Sequence, residues 1–456
     1  MKTLLTHGYF LEEDQREQQI MKPYVPLGIL SISVYLEEHG VKNEVFDSTF
    51  SSSEKCKQHL LESKPHVIGI YVNLMTKLNV LRQIRFIREN LPQTKIILGG
   101  PEVTHHAENF LRHGADVIVI GEGEQTMLEL CRGGVTQLEK IRGIAFLNEK
   151  NELIRTAPRE KIRNLDELPF PNRKKVNLQL YFDAWKNKHG QSAISVSTMR
   201  GCPYTCKWCS RAVYGESYRR RSPKKVADEI ELLRSNYAFD TIWFVDDVFT
   251  ISHKWLKEFH DELISRKISV RYECITRADR MNEEVIRLLK ESGCFRVWIG
   301  AESGSQKVID AMDRRVNVKQ VREMIQLSKK HGIQAGTFIM LGYPGEEDSD
   351  VAETLHHLKT SDPDFYTITI AYPIKGTPMY EEVESNFIQQ LPWETSTDRQ
   401  IDFRRTYSRK YYDYAVRWIA NEMAIQKSNG SFPRFLQHKF KSLASRSLMR
   451  WEMKQQ

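Results

Sequence analysis

The sequence predicts an α/β protein in which an N-terminal doubly wound parallel sheet precedes a partial (β/α)6 barrel and a helical C-terminal extension. Three observations predict it. Short β-branched runs alternate with helix-period segments over residues 1–150, a proline-bearing stretch interrupts the alternation, and a second alternation runs from Ala193 to about Tyr380. The expected boundaries are 1–150 for the first domain, 151–190 for a linker, 191–385 for the barrel and 386–456 for the helical region.

In the first domain the expected strands are 3–8, 43–47, 67–71, 95–98 and 116–120. Between them lie helix patterns such as Leu78, Leu81, Ile84, Ile87 and Leu91, spaced by three and four. Ligands of doubly wound sheets sit beyond the carboxyl ends of the strands. The loops there are the run 73–76, Gly99-Gly100-Pro101-Glu102 and Gly121-Glu122-Gly123-Glu124. Pro158, Pro169 and Pro171 break any period in the linker. The second series has expected strands at 193–198, 241–245, 269–275, 295–299, 334–340 and 366–371. Its first helix opens with Ser222-Pro223, a capping serine followed by a proline suited to the first turn.

Composition narrows the class. The chain has 456 residues, 40% apolar and 28% charged, the balance of a globular protein with sizeable cores. Its net charge of +8 is too small at this length to imply nucleic acid. No stretch approaches the ~18 apolar residues of a membrane span. Met1-Lys2-Thr3-Leu4-Leu5 runs into a strand pattern and not into a signal peptide, so the expected location is the cytoplasm. The seven cysteines then sit in a reducing compartment, where metal binding or catalysis outweighs disulfides.

The strongest local signal follows the first strand of the second series: Gly201-Cys202-Pro203-Tyr204-Thr205-Cys206-Lys207-Trp208-Cys209. Three thiols at spacings of four and three suit three irons of a cubane cluster, whose full ligation takes four cysteines, so one iron stays open to a small molecule. A structural zinc site is the competing reading, but no fourth Cys or His lies nearby. Cys56, Cys131, Cys274 and Cys294 stand among apolar neighbours and read as core packing.

Cx3Cx2C at this place resembles the radical S-adenosylmethionine (SAM) superfamily. The resemblance implies a [4Fe–4S] cluster held by Cys202, Cys206 and Cys209, whose open iron chelates SAM, and an external low-potential electron donor. It continues residue by residue along the barrel. Trp208 takes the aromatic position beside the adenine. Asp246 and Asp247 end the second strand where a carboxylate accepts the SAM ammonium, although the family's two glycines are missing there. Arg277, beyond the third strand, would pair with the SAM carboxylate. Glu302 and Ser303, in Gly300-Ala301-Glu302-Ser303-Gly304-Ser305, would meet the ribose and methionine portions. Gly342, within the run from Gly336 to Glu346, would flank the adenine. Singly, each has a plainer reading as a helix cap, a solvated loop residue or a turn glycine.

The first domain resembles the cobalamin-binding domain of cobalamin-dependent radical SAM enzymes, through Pro26-Leu27-Gly28, Gly99-Gly100-Pro101 and Gly121-Glu122-Gly123-Glu124. This implies cobalamin near Leu74, Gly99, Gly100, Gly121 and Glu122, with tight turns as the competing explanation of the glycines. The Asp-x-His-x-x-Gly motif that supplies a lower axial histidine elsewhere is absent; His105 and His106 read as surface residues of a helix start. Members of the family commonly bind cobalamin without that ligand.

The resemblance covers residues 1–380 and implies a C-methyltransferase acting on an unactivated carbon through a 5′-deoxyadenosyl radical and methylcobalamin. The same cofactors also serve oxidative cyclisation or rearrangement. An RNA methylthiotransferase would need three further N-terminal cysteines, where only Cys56 and Cys131 occur. A non-catalytic cobalamin-binding protein would have no use for the thiol triplet. At the C-terminus, Arg404-Arg405-Thr406-Tyr407-Ser408-Arg409-Lys410-Tyr411-Tyr412 mixes cations with aromatics, a pattern of nucleic-acid binding but more readily that of a helix covering the barrel mouth and shaping the substrate pocket. The last stretch alternates apolar residues from Phe432 to Trp451 with basic ones from Arg434 to Lys454. Such a basic amphipathic helix more often packs on its own protein but can lie on an anionic membrane, which among small-molecule or lipid-like substrates would suit a lipid or a tetrapyrrole.

Overall fold

The computed structural model describes residues 1–427 and 432–455. The chain packs as two compact units: Met1–Pro203, Ser210–Trp243 and Leu391–Thr397 form the first, and Tyr204–Cys209, Phe244–Gln390 and Asp398–Gln456 the second.

The first unit is built on β1 (Thr3–His7), β2 (Asn43–Phe46), β3 (Val67–Tyr71), β4 (Lys95–Gly99), β5 (Val117–Val119), β6 (Ile144–Leu147) and β7 (Leu153–Arg155). Their order is β2-β1-β3-β4-β5-β6-β7. The first five strands pair in parallel, with Leu4 opposite Ile68, Ile68 opposite Ile96 and Ile97 opposite Val117. Strand alternation sends successive residues to opposite faces, and both faces are buried. Leu4, Ile68, Ile96 and Ile118 pack with Val80, Ile84 and Ile87 on one face. Leu5, Val67, Ile97 and Val117 pack with Ile29, Leu36, Met127 and Leu130 on the other.

The stretch expected to be a linker joins this unit. β6 and β7 pair antiparallel across a turn in which the Asn148 side chain accepts from the amides of Lys150 and Glu152. Strands of three and four residues around a polar turn leave too short an alternation to stand out in sequence. Farther on, Leu178–His189 is a helix whose Leu178, Tyr181, Phe182 and Trp185 are buried, one apolar face at helical spacing. Tyr181 donates to Asp47 at 2.8 Å and Trp185 to the carbonyl of Pro23 at 2.9 Å.

The second sheet comprises β8 (Ala193–Val196), β11 (Thr241–Phe244), β12 (Tyr272–Thr276), β13 (Cys294–Glu302), β14 (Gln334–Leu341) and β15 (Phe365–Ile370), in the order β15-β14-β13-β12-β11-β8; β9 (Met199–Arg200) and β10 (Arg219–Arg220) form a separate antiparallel pair. The run from β12 to β15 is parallel. Helices fill the connections, as a (β/α) series requires. The helix Pro223–Asn236 starts as its sequence predicts, with Ser222 Oγ accepting from the Lys225 amide. β13 runs three residues past its expected end because a bulge between Gly300 and Glu302 carries it on, with Glu302 at φ +66°.

Two helices, Arg409–Gln426 and Phe432–Lys454, close the second unit. Arg405 donates to the carbonyls of Ala371 at 2.8 Å and Gly342 at 3.2 Å, and Tyr412 to that of Glu346 at 3.2 Å. The basic aromatic run therefore sits on the carboxyl ends of β14 and β15. No helix among the described residues is long and apolar enough to cross a membrane.

The first unit buries one ion cluster that its stability depends on. Glu229 accepts from Arg173 at 2.7 Å and from Arg221, and Arg173 also reaches the carbonyl of Ser195. Burial works to raise the Glu229 pKa, but the two guanidinium groups win and hold it below the usual carboxylate range. Glu229→Gln leaves two buried cations without their anion and is expected to cost about 3–5 kcal/mol in urea unfolding. An unchanged midpoint would refute this role.

Candidate active site

The three thiols of the triplet stand on one loop after β9. Gly201, at φ +83°, turns the chain into it; a Cβ there would lie 2.3 Å from Ser217 Oγ and 2.5 Å from its carbonyl oxygen. Within the second unit the loop is pinned at several points. The Lys207 amide donates to Met312 O at 3.1 Å, Met379 N donates to Lys207 O at 3.0 Å, and Thr205 Oγ1 donates to Asp313 at 2.5 Å. Cys206 is buried, Cys202 half-buried and Cys209 exposed. Cys56, Cys131, Cys274 and Cys294 are buried, as core packing requires.

Cys206 Sγ accepts from Arg277 Nη1 and Arg314 Nη1, each at 3.7 Å. Arg277 is fully buried, and its remaining donors go to Asp279 and to the Arg314 carbonyl at 2.7 Å, with Tyr204 stacked 3.7 Å from its guanidinium. These bonds place Arg277 at the sulfur, with its guanidinium already engaged. Arg314 reaches Gly300 O at 2.8 Å and Glu302 at 3.5 Å, and lies 5.6 Å over the Trp208 ring. Its Nε is buried without a hydrogen-bond partner.

The other expected SAM-side residues fall around strand ends of the same unit. Trp208 packs against the apolar cluster of Met312, Tyr343, Met379 and Phe403. Asp246 is buried and Asp247 is exposed at the end of β11. Burial of its surroundings, then the charge of Asp246, raises the Asp247 pKa. Glu302 is buried, and its pKa is raised by burial against the pull of Arg314 and Arg277. Ser303 serves the turn, with its Oγ accepting from the Ser305 amide and bonded to Thr354. Gly342, at φ +76°, donates its amide to Glu346 at 2.5 Å.

In the first unit, Leu74 lies half-buried in the turn after β3, with Met75 exposed beside it. Gly99 ends β4. Gly100 follows at φ +114°, where a Cβ would approach Val72 O to 2.3 Å, so the turn itself demands glycine. Gly121, at φ +88°, has no neighbour closer than 3.7 Å to such an atom. Glu122 is occupied: Arg200 and Arg219 each donate to it at 2.6 Å and the Ile162 amide at 3.0 Å. His106 begins the helix Ala107–Arg112, 3.8 Å from Glu102.

Sequence reasoning missed Arg314 and Glu346. Arg314 stands in Met312-Asp313-Arg314-Arg315, which reads as a solvated charged run; the one signal was the apolar pair Met312 and Val316 around it. Glu346 closes a turn motif and gives no periodic clue, yet it is fully buried, with Oε1 unpartnered.

Among the described residues no three His, Cys, Asp or Glu side chains converge on one point. The donor set nonetheless suits iron and sulfide: three thiolate-forming side chains stand on one loop, with cationic donors already on the sulfur of Cys206. The orphaned Arg314 Nε suits an anionic group such as a carboxylate, and the exposed Asp247 suits an ammonium. In the first unit, glycines at the end of β4 and in the loop after β5, with apolar Leu74 and Met75 in the turn after β3, suit a broad flat ring.

Two outcomes follow from this geometry. Replacing Cys202, Cys206 or Cys209 with Ala is expected to abolish iron retention after anaerobic reconstitution, measured per chain; retained iron in all three variants would contradict the cluster site. Burial, opposed by the Gly342 amide, pushes the Glu346 carboxyl from 4.5 up to about 8. The folded chain then holds a proton that the unfolded chain releases above pH 4.5. This contribution to stability is complete below pH 4.5 and lost as pH rises to about 8. Glu346→Gln removes that loss, so its unfolding midpoint should climb relative to the parent between pH 5 and 8 and level off above. Parallel pH profiles would contradict the assignment.

Comparison with known proteins places these features. Residues 196–358 match the Radical SAM superfamily and residues 20–131 the B12 binding domain. An uncharacterized methyltransferase of Pyrococcus horikoshii is 28% identical over 82% of this chain and 81% of its own. The anaerobic magnesium-protoporphyrin IX monomethyl ester cyclase of Rubrivivax gelatinosus is 26% identical over 80% of this chain and 67% of its own. The radical SAM methyltransferase TsrM of Kitasatospora setae, solved with a SAM analogue and tryptophan, shares the fold at TM-score 0.70 and 19% identity, covering 84% of this chain and 76% of TsrM. The chain thus pairs a Radical SAM domain with a B12 binding domain, and those two domains imply a [4Fe–4S] cluster, SAM and cobalamin as its cofactors.

Proposed function

We propose that the protein is a cobalamin-dependent radical SAM C-methyltransferase acting on an unactivated carbon. The observation that carries this reading is the pairing, on one chain, of the cationically supported thiol loop with a B12-binding domain, in a sequence aligned over 82% of its length with a methyltransferase. When bound, the cofactors supply a 5′-deoxyadenosyl radical to activate a C–H bond and a methyl group to transfer.

The protein's own residues do the holding. Cys202, Cys206 and Cys209 ligate the cluster. Arg277 and Arg314 donate to Cys206 Sγ, and donors on cluster sulfurs are one of the ways a protein sets cluster potential. Asp247, with Asp246 beside it, accepts the SAM ammonium, and Arg314 Nε meets its carboxylate. Trp208 and Gly342 flank the adenine, while Glu302 and Ser303 line the ribose and methionine side. In the first unit Leu74, Gly99, Gly100 and Gly121 form the floor for cobalamin. Glu122 acts indirectly, by fixing Arg200 and Arg219. An external low-potential donor supplies the electrons.

The similarity to the anaerobic cyclase favours one second reading, oxidative cyclisation with the same cofactors. Product accounting separates the two. With reductant, isotope-labelled SAM and a metabolite extract as substrate source, methyl transfer is expected to release S-adenosylhomocysteine together with 5′-deoxyadenosine and to give a product carrying the labelled methyl. 5′-Deoxyadenosine without S-adenosylhomocysteine, together with a product that has lost two hydrogens and carries no labelled methyl, would overturn methylation in favour of cyclisation.

A further inference from the structure

The helix Phe432–Lys454 is built inside out. The face it turns inward is small or polar: Ser442, Ser445, Met449 and Glu452 are its buried residues. Ser442 donates to Glu422 at 2.5 Å, Ser408 donates to Glu452 at 2.6 Å, and Arg446 pairs with Asp348 at 2.6 Å. The serines let the helix lie close against Arg409–Gln426. Large apolar side chains point away instead. Phe440 is 76% exposed, Phe432 68%, Leu443 57%, Trp451 54% and Leu436 50%. At 100° per residue these five fall within about 100° of the circumference, opposite the buried face, in a stripe about 28 Å long.

Charge identifies what the stripe meets. Arg450 and Lys454 fall within it and Lys439 borders it, all three exposed, while Arg434 and Lys441 lie on the other side of the helix. The helix has a single acidic residue, Glu452, and that one is buried. A straight, shallow stripe of aromatic and aliphatic groups, framed by cations on long flexible stems, complements a flat anionic surface, with the stems reaching outward to headgroups. A protein partner would call for paired charges of both signs and a shaped pocket.

We propose that Phe432–Lys454 docks the enzyme on a lipid bilayer bearing anionic headgroups, lying in the interface without spanning it. This inference stands apart from the cofactor chemistry. The test is co-sedimentation of the full-length protein with phosphatidylcholine vesicles, with and without phosphatidylglycerol. The expected result is binding at least about tenfold tighter to the anionic vesicles, weakened by salt. Phe440→Ser/Leu443→Ser, at positions that touch no core, should lose at least about tenfold while keeping the parent's circular dichroism. Arg450→Gln/Lys454→Gln should flatten the salt dependence. Equal binding to neutral and anionic vesicles, or unchanged binding of the Phe440→Ser/Leu443→Ser variant, would overturn the proposal. So would absence of vesicle binding together with a solution dimer that this double substitution dissociates, which would assign the stripe to a second copy of the chain.

Discussion

Two guanidinium groups meet the sulfur of Cys206, and burying those cations governs how the second unit is built. A buried charge is tolerated only when its hydrogen-bonding capacity is met by nearby acceptors. For Arg277 the acceptors are Asp279 and the Arg314 carbonyl, so the ends of β12 and of the segment after β13 are tied together. For Arg314 they are Gly300 O and Glu302. The bulge at Gly300 and the left-handed backbone at Glu302 follow from this need. A Cβ at Gly300 would lie 2.3 Å from Arg314 Nη2, so the strand carries no side chain where the guanidinium passes. The strain at Glu302 is thus the cost of aiming a carboxylate at a buried arginine.

The first unit shows the same economy with a different emphasis. β4 ends in Gly99 and the loop after β5 carries Gly121 and Gly123; the carboxylate between those two, Glu122, is shared by Arg200 and Arg219, with Arg200 also held by Glu124. The loop after β5 is therefore fixed by ion pairs within the unit, leaving backbone and apolar side chains at the strand ends. That suits a large neutral-faced ring better than a phosphate, which would need free amides or unpaired cations. In both units the functional loops lie at carboxyl ends of parallel strands, where connections can vary without disturbing the sheet.

Much of this was legible in the sequence. The spacing of Cys202, Cys206 and Cys209 marked the cluster loop because thiol spacing is a local property. All eleven expected strands, from 3–8 to 366–371, have counterparts in the fold, and most stood out because both faces of a parallel strand are buried and the runs are continuously apolar. β6 and β7 were hidden by their shortness, and the helix Leu178–His189 by the prolines before it. Arg314 and Glu346 escaped because their roles rest on burial created by distant strands, which no neighbouring residue announces. The same holds for Arg277: its place after a strand was readable, but its engagement with Cys206 Sγ depends on a loop 71 residues away in sequence. The C-terminal helix was read as amphipathic, yet only the fold shows that its polar side faces the protein.

The union of the thiol loop with a cobalamin-bearing domain is the claim on which methyl transfer rests. It is tested most directly by purifying the protein anaerobically from cobalamin-fed cells and measuring iron and tightly bound cobalamin per chain. The expected result is about four irons and near-stoichiometric cobalamin on each chain. A chain that holds its full iron complement and no cobalamin would contradict the account and leave a radical SAM catalyst without a methyl carrier.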